Sequence, residues 1–224
     1  MDKNIENRKS SNTKKYMPVC LNLNGKEVVV YGGGKIAYQK TRTLVRYGAR
    51  VTVIAEKFDE KFNRLKNVTL IAKKIGKSDL KSKYSFVICA LNDKKLNEKI
   101  YEFYTNKNIP VNVVDNRELC SVIFPAILNQ KDISIAISTN GKMAGLSRYL
   151  KQSLKKWLHK DTHKLLRELA RMRIKLKKKI PSFEKRQKII RKILNEYDFF
   201  SKMQHGESFQ AIKEKIKDAF SAYV

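Results

Sequence analysis

Residues 28–37 read Val-Val-Val-Tyr-Gly-Gly-Gly-Lys-Ile-Ala, an apolar run closing on Gly32, Gly33 and Gly34 and followed by Lys35, Ile36 and Ala37. The spacing satisfies G-x-G-x-x-A, which suits a dinucleotide pyrophosphate when a strand precedes it and a helix follows. The first glycine lets the chain turn sharply, the second lets backbone approach the phosphates, and the small residue at 37 lets helix and strand pack closely. Free amides at the helix N-terminus then face the phosphates. A glycine turn that merely joins strand to helix is the alternative, and the strand-helix-strand context argues against it.

Further residues fall where such a site needs them. A second strand ends in Ala55 and is followed by Glu56 and Lys57. A carboxylate here accepts hydrogen bonds from a ribose 2′-hydroxyl and repels a 2′-phosphate, which favours NAD, although the adjacent lysine works the other way. Asn92, after the fourth strand, borders the cofactor, because ligands in such sheets lie beyond the carboxyl ends of the strands. His159 and His163 have the i, i+4 spacing of two ligands on one helix face, but Asp161 and Thr162 bring no third ligand. A solvated helix end is the better reading, no metal site is assigned, and His205 lies in a turn. Cys20, Cys89 and Cys120 form no C-x-x-C pair, which argues against a zinc knuckle or disulfide scaffold and for reduced, partly buried thiols.

The elements that must position these residues alternate. Short β-branched runs at 28–32, 51–55, 68–72, 86–91 and 111–115 are separated by segments of helical period, including 34–47 and 94–106. This predicts an α/β, Rossmann-like parallel sheet with both faces covered. The runs 121–128 and 133–138, joined by Asn-Gln-Lys-Asp, suit a hairpin, and from Lys142 onward the period is helical. Residues 1–15 are polar and predict a disordered lead. The 224 residues hold 49 Lys+Arg against 21 Asp+Glu, a formal charge of +28, so a polyanion is an expected partner unless a lysine-rich proteome accounts for the excess. No apolar run approaches the roughly 20 residues of a membrane span and the start lacks the core of a secretory signal, so the chain reads as cytoplasmic.

Taken in order, MPVCLNLNGKEVVVYGGGKIAYQK, YGARVTVIA, CALND and NVVD resemble the precorrin-2 dehydrogenase family, the dehydrogenase and ferrochelatase part of siroheme synthase, over residues 16–160. The resemblance implies an NAD-binding domain (16–115), a dimerisation region (116–160) and a C-terminal helical domain (161–224), assembled as a homodimer. It also implies a short proline-containing strand before the glycine turn, whose motif closes at Lys40. Dinucleotide contacts carry over to Lys35, Ile36, Glu56 and Lys57, and the catalytic aspartate of N-V-V-D to Asp115. By residue type alone Asp115 reads first as a cap of the turn it shares with Asn116 and Arg117; the resemblance makes it the base that takes a proton as a hydride passes to NAD. Ser121-Val122-Ile123-Phe124-Pro125 matches the family's S-F-I-x-P.

The implied substrate, precorrin-2, carries eight carboxylates, and Arg117 and Arg148 are candidate anchors by position. Some members of the family also insert Fe²⁺ at the same site, whereas others are dehydrogenases only. Thr139 stands where some relatives have a phosphorylated serine, but the family's G-G-x-S-P becomes Asn140-Gly141-Lys142-Met143-Ala144. The methylating domain of some relatives is not expected in a chain of this length. Two other readings stay open: a nucleic-acid-binding protein whose basic helices track phosphates, and an unrelated NAD-dependent oxidoreductase.

Overall fold

The structure is a computed structural model and describes residues 14–223. By contact density the chain forms two units that meet in sequence at Phe124 and Pro125.

The first unit holds a five-stranded parallel sheet. Its elements are β1 (Glu27–Tyr31), α1 (Lys35–Arg46), β2 (Arg50–Ala55), β3 (Val68–Ala72), β4 (Phe86–Cys89), α2 (Lys94–Thr105) and β5 (Val111–Val113). Short 3₁₀ turns at Glu60–Arg64 and Lys77–Asp79 complete the connections around β3. The strand order is β3-β2-β1-β4-β5. The chain therefore leaves β1 toward one edge and returns beside it as β4, and a crevice opens where the direction of winding reverses.

β1 and β4 are buried on both faces, which is why their text is continuously apolar. β3 departs from that expectation: it is an edge strand with Leu70 exposed, so its apolar run marks β propensity rather than two covered faces. Helix α1 buries Ala37, Thr41 and Leu44, at i, i+4 and i+7, against the sheet. Helix α2 starts at Asp93, whose carboxylate accepts from the Leu96 amide, and buries Asn97, Ile100 and Tyr104 on the other face. There the Tyr104 and Tyr31 hydroxyls are 2.6 Å apart, and the Tyr31 hydroxyl donates to the Asp79 carbonyl.

The second unit begins with an antiparallel pair, β6 (Ala126–Gln130) and β7 (Ile133–Ile137). The apolar run expected from residue 121 becomes a strand only at Ala126, because Ser121 and Val122 hydrogen-bond back to Val111 and Pro125 offers no amide to a ladder. Helix α3 (Ala144–Trp157) packs on this pair. Helices α4 (Thr162–Lys179), α5 (Phe183–Tyr197), α6 (Phe199–Gln204) and α7 (Phe209–Ser221) enclose a core of Met172, Leu176, Ile193, Phe199, Ile212 and Ile216. Among the described residues no helix is long and apolar enough to cross a membrane.

The expected polar lead lies outside the described residues up to position 13. Lys14 is described, and its ammonium donates to the Glu118 carbonyl. The expected leading strand is extended chain without ladder partners, with Met17, Val19, Cys20 and Leu21 exposed. Cys20 thus differs from the buried Cys89 and Cys120.

One position fixes the sheet's centre. Gly32 adopts φ +116°, and a Cβ there would strike the Ala90 carbonyl at the end of β4. Gly32→Ala should lower unfolding stability by about 3 kcal/mol, from backbone strain and a forced parting of β1 and β4. A urea titration checks this, and an unchanged midpoint would mean that the crossing is not rigid.

Candidate active site

The carboxyl ends of the central strands carry most of the residues singled out by sequence. The Gly32 amide donates to the Ile54 carbonyl at 2.9 Å, tying the glycine turn to the end of β2. Gly33 is buried, and a Cβ there would run into the Lys57 carbonyl; its own carbonyl accepts from the Asp59 amide at 2.8 Å. This glycine is therefore demanded by the segment after β2. Gly34 differs: it is exposed, has φ −80° and ψ −176°, and its missing Cβ would meet nothing within 4 Å.

Gly34 caps α1 without a side-chain hydrogen bond, and the first turn contains no acidic residue. Helix-terminal amides and the positive end of the helix dipole therefore face open space above Gly34, with Lys35 and Ile36 exposed beside it. Ala37 is 1% exposed and holds the helix against the sheet. Glu56 and Lys57 follow β2 and are exposed, and Asn92 is exposed between β4 and α2. These residues fit a dinucleotide: backbone approach and free amides for the pyrophosphate at Gly34, and a carboxylate for a ribose hydroxyl at Glu56.

Asp115 lies two residues beyond β5, exposed, with φ +58°. The turn's cap comes from its neighbour, since the Asn116 side-chain oxygen accepts from the Leu119 amide at 3.3 Å. Among the described residues the Asp115 carboxylate has no hydrogen bond or ion pair. The turn is braced from below by Cys120, whose sulfur accepts from the Val113 amide and donates to the Val113 and Asn116 carbonyls, both at 3.2 Å. Burial pushes the Cys120 thiol above its ordinary range, so it keeps the proton these contacts need.

The two candidate arginines have different surroundings. The Arg117 guanidinium donates to the Lys14 carbonyl at 3.1 Å, and its buried Nε has no partner among the described residues. Much of that side chain serves to hold the leading segment. Arg148 is exposed on α3, in the second unit. Also there, Thr139 exchanges hydrogen bonds with the Met143 amide and carbonyl and opens α3.

The paired histidines are structural. His159 Nδ1 accepts from the Asp161 amide, while buried His163 contacts the Lys160 carbonyl through Nδ1 and Lys131 Nζ through Nε2. His163 is thus packed where a solvated helix end was expected. No cluster of three metal-ligating side chains occurs among the described residues.

Sequence reasoning assigned no role to Lys40 beyond closing the glycine motif. It lies one turn after Ala37, half-buried, with Nζ 4.0 Å from the centre of the Phe124 ring. The available signal was its i+3 spacing from Ala37, which turns a long cationic side chain toward the sheet.

Comparison with known proteins agrees with this geometry. Residues 19–126 match a family described as putative NAD(P)-binding. A siroheme synthase of Neisseria meningitidis serogroup C is 30% identical over 93% of this chain and 44% of its own length. One from Vesicomyosocius okutanii is 32% identical over 86% of the chain and 43% of its length. The chain thus spans less than half the length of these curated relatives. Among solved structures, SirC, a precorrin-2 dehydrogenase, superposes with a TM-score of 0.69 at 22% identity, covering 93% of this chain and 100% of its own. The chain is therefore similar to siroheme synthases over most of its own length, matches a putative NAD(P)-binding family over residues 19–126, and shares the fold of a precorrin-2 dehydrogenase.

Proposed function

We propose that this chain is an NAD-dependent precorrin-2 dehydrogenase, an oxidoreductase that converts precorrin-2 to sirohydrochlorin in the cytoplasm. The observation that carries the proposal is the Asp115 carboxylate, unpaired among the described residues, beyond β5 at the same carboxyl end of the sheet as the Gly32–Gly34 turn.

The reaction removes two electrons and two protons' worth of hydrogen, as a hydride and a proton. NAD supplies the hydride acceptor. The amides after Gly34 hold the pyrophosphate, and Glu56 accepts from the adenosine ribose and disfavours a 2′-phosphate. The Asp115 carboxylate takes the proton that leaves the macrocycle. Because it caps nothing and pairs with nothing among the described residues, it pays no hydrogen bond to reach the substrate. The braced turn beneath it keeps it at the strand end.

The divisions 16–115, 116–160 and 161–224, read as cofactor-binding, dimerisation and helical regions, complete this account. Pairing with a second copy is supported by the two-stranded sheet β6–β7, with its open outer edges, and by exposed Leu146, Tyr149 and Leu150 on α3. Iron insertion into the product, at the same site, needs no resident metal: Fe²⁺ would be a substrate.

Three outcomes follow. Gly34→Val should still fold, at a cost of about 1 kcal/mol for the poorer helix cap, since its backbone is extended and its Cβ meets open space, yet weaken NAD binding by about 10-fold or more, read by calorimetry. Asp115→Asn should keep fold and NAD affinity, because asparagine tolerates the left-handed backbone, while the rate of NADH formation with precorrin-2 falls by about 100-fold. A near-wild-type rate would exclude Asp115 as the base. In sedimentation the chain should run at twice its 26.1 kDa mass.

A further inference from the structure

An ammonium ion is strongly hydrated and carries three donors. Lys40 has given up much of that hydration. Its stem lies along the edge of the buried face of α1, next to Ala37 and Thr41, and its Nζ rests on the Phe124 ring. Among the described residues it has no carboxylate within ion-pair distance and no hydrogen-bond acceptor. A desolvated cation without a counter-ion is costly, and the cation–π contact recovers only part of that cost. An incoming anion would recover more.

The charged and titratable groups around it are identifiable. Asp115 and the Cys120 thiol act on Lys40 through space from the turn after β5. Lys14 and Tyr16, from the leading segment, lie beside Cys120, and Arg117 and Glu118, from the same turn, act on Tyr16. On α1 itself Lys35 is exposed, and Arg42 lies over the Tyr38 ring. Burial lowers the Lys40 pKa below the ordinary lysine range, opposed by Cys120 and Asp115.

The pyrophosphate is an unsuitable counter-ion. Lys40 is six residues beyond Gly34, roughly 9 Å along the helix axis from the free amides, and its side chain turns to the segment that carries Asp115 and Phe124.

We propose that Lys40 is a substrate anchor: its ammonium receives one carboxylate of the substrate beside Asp115, fixing which edge of the ring meets the base. This rests on the dehydrogenase reading above, in which the substrate is a polycarboxylate tetrapyrrole. It also gives the desolvated ammonium the partner it lacks.

The test uses Lys40→Met, which keeps the apolar stem, and Lys40→Arg, which keeps the charge, both in the full chain. Affinity for uroporphyrin, an octacarboxylate tetrapyrrole that does not turn over, is read by fluorescence quenching alongside NAD affinity, a thermal melt and steady-state kinetics. Lys40→Met should weaken uroporphyrin binding and raise KM for precorrin-2 by about 10- to 100-fold, as expected for one charge-assisted hydrogen bond, with NAD affinity unchanged and kcat affected far less. Lys40→Arg should restore most of both.

In the wild-type protein KM should rise with pH as Lys40 loses its proton, below the ordinary lysine range, and in Lys40→Arg that rise should move to higher pH. Wild-type uroporphyrin affinity in Lys40→Met would overturn the proposal, as would a loss confined to NAD. If the wild-type protein forms no NADH from precorrin-2, the dehydrogenase reading fails by itself, and uroporphyrin binding still decides the role of Lys40.

Discussion

The close approach of β1 to the end of β4 organises the first unit. Gly32 has no side chain, so the Ala90 carbonyl can occupy the space where a Cβ would sit, while the Gly32 amide is bonded to Ile54 on the other side. Three strand ends are thereby locked together at the point where the sheet reverses its winding. From that junction α1 starts with no side-chain cap among the described residues, β2 delivers Glu56, and β5, paired to β4 through Cys89 and Val113, delivers Asp115. The geometry of the proposed chemistry is a consequence of this packing: loosening it would separate cofactor phosphates, ribose and base together.

Much of this was legible in the sequence because it depends on local pattern. The glycine turn, the alternation of strands and helices, and the placement of a ligand beyond the strands' carboxyl ends need only residue types and their spacing. What escaped depends on contacts distant in sequence. Gly33 holds the unspecified position of G-x-G-x-x-A, yet it is fixed by the Lys57 carbonyl, a neighbour formed only when β2 folds alongside β1. Asp115 reads as a turn cap, whereas Asn116 takes that role, and a difference of one residue in capping is decided by backbone dihedrals that sequence does not display. Arg117 looked free to bind a substrate carboxylate, but the leading segment folds back so that the Lys14 carbonyl occupies it. His163 looked solvated because its burial depends on Lys131, in the turn between β6 and β7.

The strong positive charge takes on a more specific meaning at this site. Most of the lysines are spread over the helical surface, where the net charge draws in anions without specificity. Lys40 combines burial with an electrostatic pull from the Asp115 carboxylate, which has no hydrogen bond or ion pair among the described residues. Local burial, more than total charge, identifies a cation that can discriminate among ligands, because solvent and salt screen the exposed ones.

In the proposed reaction the carboxyl ends of the strands bring a nicotinamide acceptor and a proton acceptor to the same tetrapyrrole. This is tested most directly by a single-turnover reaction of the protein with precorrin-2 and excess NAD, following reduced nicotinamide and sirohydrochlorin in the same sample. The two should appear at one rate and in one-to-one amounts, with a much slower reaction when NADP replaces NAD. Sirohydrochlorin accumulating without NADH, or no reaction above the uncatalysed rate, would contradict it.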